Sequence, residues 1–422
     1  MSFIGNQKDS KVTAVGDKAN GAVQTGFLTV NVALTNPVNS VSYRNITANS
    51  NTDILNIRGA GVSLSPNASP RTLTISTNSD LRVSQNSALM AVNNWTTWSG
   101  SQDSLSSSSI AWSPELGLFV ALAPAADASG FQAMTSPDGF TWTRRTVPDN
   151  NSWNSVAWSP ELGLFVAVSS SGSLNRAMTS SDGITWITRT TTVNNPYSDV
   201  IWCKELGLFV AVAGSTGAAD VNKHIMTSPD GTAWTAQTTP NDNFTCVTWS
   251  KELGLLVALG FSAANKAMSS SDGINWTLRS LPAGAATYGG VSWSPELGLF
   301  VAVGNDMVYS PDGLTWTQAS TYPAGFTAGT RVVWNPQFEA FVAVADSGTS
   351  QVALSFDGIT WRGIVGLSGA WKSLAWSPEL GIHAAVAPSG NFIMTSRPVG
   401  VWGAIAQGLT HAQVMSHLYM RY

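Results

Sequence analysis

The stretch whose reading decides the fold is Ala111–Leu122, AWSPELGLFVAL. It returns as AWSPELGLFVAV from Ala157, IWCKELGLFVAV from Ile201, TWSKELGLLVAL from Thr248, SWSPELGLFVAV from Ser292, VWNPQFEAFVAV from Val333 and AWSPELGIHAAV from Ala375. The seven marker tryptophans, Trp112, Trp158, Trp202, Trp249, Trp293, Trp334 and Trp376, stand 41 to 47 residues apart. A length of 422 residues would by itself suggest two or three domains. Self-similarity at this period overrides that prior and points to a propeller or a solenoid.

A second marker follows the first in six units: SPDGFTW, SSDGITW, SPDGTAW, SSDGINW, SPDGLTW and SFDGITW, with Asp138, Asp182, Asp230, Asp272, Asp312 and Asp357. Both markers have turn chemistry. In SPELG, Pro presets φ and Gly tolerates positive φ; in SPDG, the Asp side chain accepts hydrogen bonds from its own turn. Short runs such as RAMTS and HIMTS lie between the markers, so each unit reads as four strands with no segment long enough for a helix. Four strands per repeat make a propeller blade. The expectation is an all-β chain with a seven-bladed β-propeller of four-stranded blades.

GLFVAV is a continuous apolar run rather than an alternating one, as expected of a strand buried on both faces. Before each marker Trp a large residue (Val156, Val200, Val247, Val291, Val332) precedes a smaller one in several units (Ala157, Thr248, Ser292), which suits close packing of adjacent sheets. The seventh unit reads FIMTSRPVGVW after Trp376, with no Asp-Gly turn where one would be expected near Pro398. AVNNWTTW (Ala91–Trp98), upstream of the first unit, resembles the missing strand, so the N-terminal strand is expected to close the last blade and remove two sheet edges.

These boundaries divide the chain into a flexible N-terminus (1–20), a β-rich anchoring module (21–88), the propeller (89–403) and a tail (404–422). The module carries the runs GFLTVNVAL, SVSYRNITA and RTLTIST, and the tail has apolar residues at roughly helical spacing. Only 11% of residues are charged while 43% are hydrophobic, so Ser, Thr, Asn, Gln and Gly must cover the surface. A net charge of −4 provides no basic field for phosphates, which argues against nucleic acid as the main partner. The sequence has neither a membrane-spanning run nor the apolar core of a signal peptide. Cys203 and Cys246 are too few for a disulfide framework and read as small buried hydrophobes.

The S-x-D-G-x-T-W turns resemble the Asp-box, or BNR, repeats of sialidase-type propellers over about residues 90 to 402, although the usual box has one more residue between Asp and Trp. The resemblance implies a propeller. It places these turns at the blade periphery, away from a ligand site, so it speaks to architecture and not to activity. A sialidase-type site would need an arginine triad, a Tyr activated by a Glu, and an Asp acid/base. Of the propeller arginines, Arg331 alone falls on a first strand, and no triad is recognisable.

Six turn glutamates (Glu115, Glu161, Glu205, Glu252, Glu296, Glu379) repeat with the scaffold and read as structural, as do the six Asp-Gly aspartates. The latter lack the neighbouring oxygen ligands that calcium prefers, and the four histidines show no metal spacing, so no metal, cofactor or catalytic residue is expected.

What varies between units is the other set of connections, for example APAADASGFQ, SSSGSLNR and AGSTGAADVNK, and divergent loops on a repeated scaffold are where recognition is commonly placed. Five residues before the marker Trp stand Trp153, Tyr197, Phe244, Tyr288 and Trp371, with Phe326 displaced in the sixth unit. These rings are either platforms for a glycan or protein ligand or plugs packed beneath the loops.

The functional expectation is a non-enzymatic structural or attachment protein of a larger assembly, on a virion surface or otherwise extracellular, in the style of viral and phage fibre proteins. Residues 1–88 would contact other structural proteins, with homo-oligomerisation left open, and the propeller loops a glycan or protein receptor. The alternatives are a secreted sialidase-like glycoside hydrolase and an intracellular assembly scaffold.

Overall fold

In a computed structural model the described residues are 105–127, 129–214, 220–240, 242–260, 266–282, 287–365, 369–388 and 393–396, with strand 95–98 and short strands before residue 75. Contacts divide the chain into Met1–Leu89 and Met90–Tyr422. In the first unit Leu28–Thr35 pairs antiparallel with Val41–Ala48, and Leu55–Ile57 with Ala60–Val62. Lys11–Val12, within the stretch read as flexible, pairs with Leu73–Thr74. The expected helix in 404–422 lies outside the described residues.

The second unit contains seven four-stranded antiparallel sheets. Blade two is representative: Trp153–Ser159, Leu164–Ser169, Ala177–Ser180 and Ile187–Arg189, each paired with the next. First strands start blades one to seven at Ser109, Trp153, Tyr197, Phe244, Tyr288, Phe326 and Ser373, and each touches the next around a closed cycle in which blade seven meets blade one. In blade seven the outer strand is Trp95–Trp98, paired with Ile393–Ser396 from the other end of the propeller sequence. The clasp read from AVNNWTTW is therefore present.

The second strands explain why the apolar run is unbroken. Side chains alternate faces along a strand. Phe165 and Ala167 pack on Val120 and Leu122 of blade one, while Val166 and Val168 face Phe209 and Ala211 of blade three. The interfaces of blades one with two, two with three, four with five and five with six thus set a Phe/Ala face against a branched aliphatic face, while Leu256 and His383 take the Phe position in blades four and seven. Full burial of one such side chain contributes on the order of 1.5–3 kcal/mol, repeated around the ring.

The first turn brings each glycine to positive φ, for example 57° at Gly117 and 65° at Gly381. Blade six departs from this. There Glu339 takes the glycine position at φ 51°, a conformation that strains a residue bearing a Cβ.

Candidate functional site

Antiparallel order puts the first-to-second and third-to-fourth strand turns at one end of every blade, and the remaining connections at the other. On the turn face, Asp138 Oδ1 accepts the N–H groups of Phe140 and Thr141 at 2.7 and 2.6 Å and the Ser136 hydroxyl at 3.0 Å. Ser136 Oγ in turn accepts Gly139 N–H at 2.8 Å, and Trp142 Nε1 donates to Gly139 O at 3.1 Å. The same backbone capping recurs at Asp182, Asp230, Asp272, Asp312 and Asp357. Burial raises these carboxyls, but the hydrogen bonds outweigh it and hold all six below the ordinary value, Asp230 and Asp272 at about 2. Their lone pairs serve the turn.

The turn glutamates do more than shape their own turns. Trp158 Nε1 donates to Glu115 of the preceding blade at 2.6 Å, Trp202 to Glu161 and Trp249 to Glu205 at 2.7 Å, Trp293 to Glu252 at 2.8 Å, and Trp112 to Glu379 across the closure at 2.7 Å. The Trp and the Glu of the repeated first segment are therefore partners between blades. Their co-occurrence in six of the seven units was the available signal, but a repeat does not reveal that its own Trp reaches its neighbour's Glu.

At the opposite face the structure places all six candidate aromatics in the core. Trp153, Phe244, Phe326 and Trp371, together with Tyr197, are 0% exposed and Tyr288 is 1%. Five of these rings join the cluster of the preceding blade: Trp153 with Val120 and Leu122, Tyr197 with Val166, Phe244 with Val210, Tyr288 with Val257, and Phe326 with Val301. No ligand can stack on a ring so enclosed.

The cause is a β-bulge. Trp153 pairs with Ser169 and Ser155 with Val168, leaving Asn154 extra; the same irregularity follows Tyr197, Phe244 and Tyr288. The extra residue shifts the ring onto the face of Val156, between blades, whereas strict alternation would put it on the face of Ser155. Residues four before the marker Trp tie the blades: the bulged Asn154 Nδ2 donates to Tyr197 O at 3.0 Å, the bulged Thr330 Oγ1 to Trp371 O at 2.6 Å, and Ser108 Oγ to Trp153 O at 2.6 Å.

Next along each first strand come Ser155, Asp199, Cys246, Gly290 and Arg331. Asp199 and Arg331, on blades three and six, meet: Arg331 Nη1 lies 3.0 Å from both carboxylate oxygens. Asp199 Oδ1 also accepts Ser155 Oγ at 2.7 Å, and its Oδ2 accepts Val247 N–H at 3.2 Å. The Asp199 side chain is 2% exposed and that of Arg331 27%, a difference that leaves the guanidinium edge wetted while the carboxylate is sealed. The Asp199 charge raises the Arg331 pKa, outweighing burial. Cys246 beside the pair is pushed up to about 12 by burial and by Asp199, so it remains a thiol.

Arg331, the arginine on which a carboxylate-binding site would have depended, is thus neutralised by its own chain. Arg145, Arg189 and Arg279 instead donate Nε to Thr135, Thr179 and Ser269 on adjacent outer strands. These arginines do not converge.

Among the described residues the loop face is polar and differs from blade to blade. Asp127 pairs with Arg144 at 3.0 Å; Asn175 Nδ2 donates to Asp149 Oδ1 at 3.0 Å, and the Thr188 hydroxyl to Asp149 Oδ2. Leu174, 42% exposed at φ 59°, is held by Asn194 Oδ1 on its N–H and by Thr191 N–H on its carbonyl. The adjoining Asn195 Nδ2 donates to the carbonyls of Asp220 and Lys223 in the next blade, where Val221 is 54% exposed. Among the described residues no group of three or more His, Cys, Asp or Glu could hold a metal.

This ring can present shaped loops on a rigid base. The fold is that of the seven-bladed propellers. The chain is similar to a streptogramin B lyase (TM-score 0.58, 11% identity, covering 71% of this chain and 96% of that one). It is also similar to the virginiamycin B lyase of Staphylococcus aureus (TM-score 0.55, 11% identity, 72% and 97%). A third likeness is to YCF48 bound to D1 peptide (TM-score 0.51, 13% identity, 72% and 97%). Likenesses at this level of identity establish the fold alone. No family model and no curated protein matches the sequence.

Proposed function

We propose that the chain is a non-enzymatic attachment protein, an outward-facing surface or fibre component of a virion, whose propeller binds a glycan or protein receptor through its loop face. Residues 1–88 anchor it to the larger assembly in this reading. One observation carries it: six of the seven blades keep the first turn and six keep the Asp-Gly turn at the turn face, while the loop face diverges in length and in polar content. A scaffold under no demand for recognition has no physical need for that asymmetry, because turns at both ends could close equally well. The charge-poor, hydroxyl- and amide-rich composition supports a neutral ligand, bound by hydrogen bonds around exposed aliphatics such as Leu174 and Val221.

The test has two arms. Proteomics of purified particles should find the chain at stoichiometric abundance; its absence would sink the virion reading. A glycan array probed with the whole chain, and with a chain in which residues 170–175 are replaced by a Gly-Ser loop, should show binding that the replacement removes. Co-purification of one defined intracellular subunit instead would favour an assembly scaffold.

A further inference from the structure

The seam between blades six and seven departs from every other interface at several linked positions. The first turn of blade six reads NPQFE where its counterparts read SPELG, CKELG or SKELG. Gln337 replaces the glutamate that would accept the next blade's marker Trp, and Trp376 Nε1, like Trp334 Nε1 one seam earlier, is buried without a partner among the described residues. Phe338 is 3% exposed and packs against Trp376 and His383, ring centroids 5.4 and 5.7 Å away. His383 stands where the other blades have Phe119, Phe165, Phe209, Leu256, Phe300 and Phe341.

The His383 imidazole is completely buried, 4.5 Å from the Trp376 ring and 6.1 Å from Trp95 of the clasp strand. Its Nε2 faces Asn335 Nδ2 at 3.2 Å. The orientation of that amide is settled by its other end, where Oδ1 accepts the N–H groups of Gln337 and Phe338 at 2.9 and 3.0 Å. Asn335 therefore donates, Nε2 accepts, and the single ring proton sits on Nδ1, which has no partner among the described residues. The other groups around the ring are Phe338, Trp376, Trp95 and Ser396, whose hydroxyl accepts the His383 N–H at 2.8 Å. None of them titrates. The carboxylates of the flanking turns are Glu339 and Glu379, and Glu379 is occupied by Trp112.

We propose that the seam between blades six and seven is an acid-sensitive closure, in which protonation of His383 loosens blade seven from blade six and frees the Trp95–Trp98 clasp strand. The added proton comes from solvent and goes to Nε2. It turns that atom into a donor facing the Asn335 amide donor, so the one hydrogen bond between the blades at this point is lost. The imidazolium would then lie among apolar rings with no counter-charge, which favours opening the seam over charging it in place.

Burial holds the His383 pKa at about 3, below its ordinary value of 6.5. The unfolded or opened ring thus binds the proton first. Closure is complete above pH 6.5 and weakens as pH falls from there toward about 3, roughly tenfold in the opening constant per pH unit. The Asp-Gly turns, held below 3.8, remain ionised through the upper part of that window.

Hydrogen exchange on the full chain between pH 7 and 4.5, corrected for intrinsic rates, tests the proposal. Amides of 382–386, 393–396 and 95–98 should lose protection about tenfold per pH unit below 6.5, while those of blade three do not. His383→Phe, the side chain used by five other blades, should abolish the slope, and His383→Leu, as at Leu256, serves if the Phe variant does not fold. Gln337→Glu, by offering Trp376 its missing acceptor, should slow exchange at pH 7. Equal slopes in blades three and seven, or an unchanged slope in both His383 variants, would overturn the idea.

Discussion

The two faces of the ring are opposite ends of the same strands, yet they use sequence differently. At the turn face the blades repeat one solution, an aspartate that caps its own turn in six of them and a glutamate that takes the next blade's tryptophan at five of the seams. At the loop face the backbone is anchored just as firmly, by buried aromatics and bulge residues, but what lies above those anchors differs from blade to blade. The comparison teaches that a repeated residue and a recognition residue are different things. Repetition marks what joins blades, and divergence marks what is free to meet a partner.

The sharpest way to break this comparison is at an aromatic of the loop face. Trp153→Ala should destabilise the propeller by about 3–5 kcal/mol, the range for emptying a buried aromatic site. Urea unfolding read by tryptophan fluorescence checks it, and a stable variant with altered ligand binding would return the ring to the recognition surface.

Next in size is the axial pair. Arg331→Met leaves Asp199, with its 2% exposed side chain, charged and without the one cationic partner it has among the described residues, at a cost of about 3 kcal/mol, the low end of the range for a buried pair because the Arg331 side chain is 27% exposed. The double variant Arg331→Met with Asp199→Asn should recover part of that loss, which thermal unfolding of all three proteins would show.

A turn aspartate should matter less. Asp230→Ala removes one carboxylate cap, worth about 1 kcal/mol by analogy with helix caps. Because the folded carboxyls lie below the ordinary 3.8, these turns contribute fully above that pH and fail as pH falls toward about 2. An acid titration of Asp230→Ala should therefore show a shallower transition below pH 4 than the parent.

The smallest effect belongs to the loop face itself. Leu174→Gly relieves a left-handed φ of 59° while removing an exposed side chain, so stability should change by less than about 0.5 kcal/mol. Ligand capture, where Leu174 forms part of the contact, should fall. A large loss of stability with unchanged capture would place Leu174 with the scaffold.

Much of the fold was legible from the repeat. Trp112 and its six counterparts set the number of blades, the Asp-Gly turns set four strands per blade, and Trp95–Trp98 was recognisable as the strand the seventh unit lacks. Each of these is a local signal, because turn chemistry and strand patterning act within a few residues of chain. The aromatics of the loop face were legible as a recurring position but not as core. A single inserted residue, Asn154 in blade two, changes the face on which Trp153 falls, and no local pattern announces a bulge.

The pairing of Asp199 with Arg331, 132 residues apart, was equally hidden. Each sits alone on its strand, and only closure of the ring brings blades three and six to the same axis. Periodicity, composition and turn residues by themselves determined the scaffold, since those are properties of neighbours in sequence. Tertiary structure alone decided which groups are buried, which charges cancel and which side chains remain for a partner, because those depend on what the closed ring places opposite each residue.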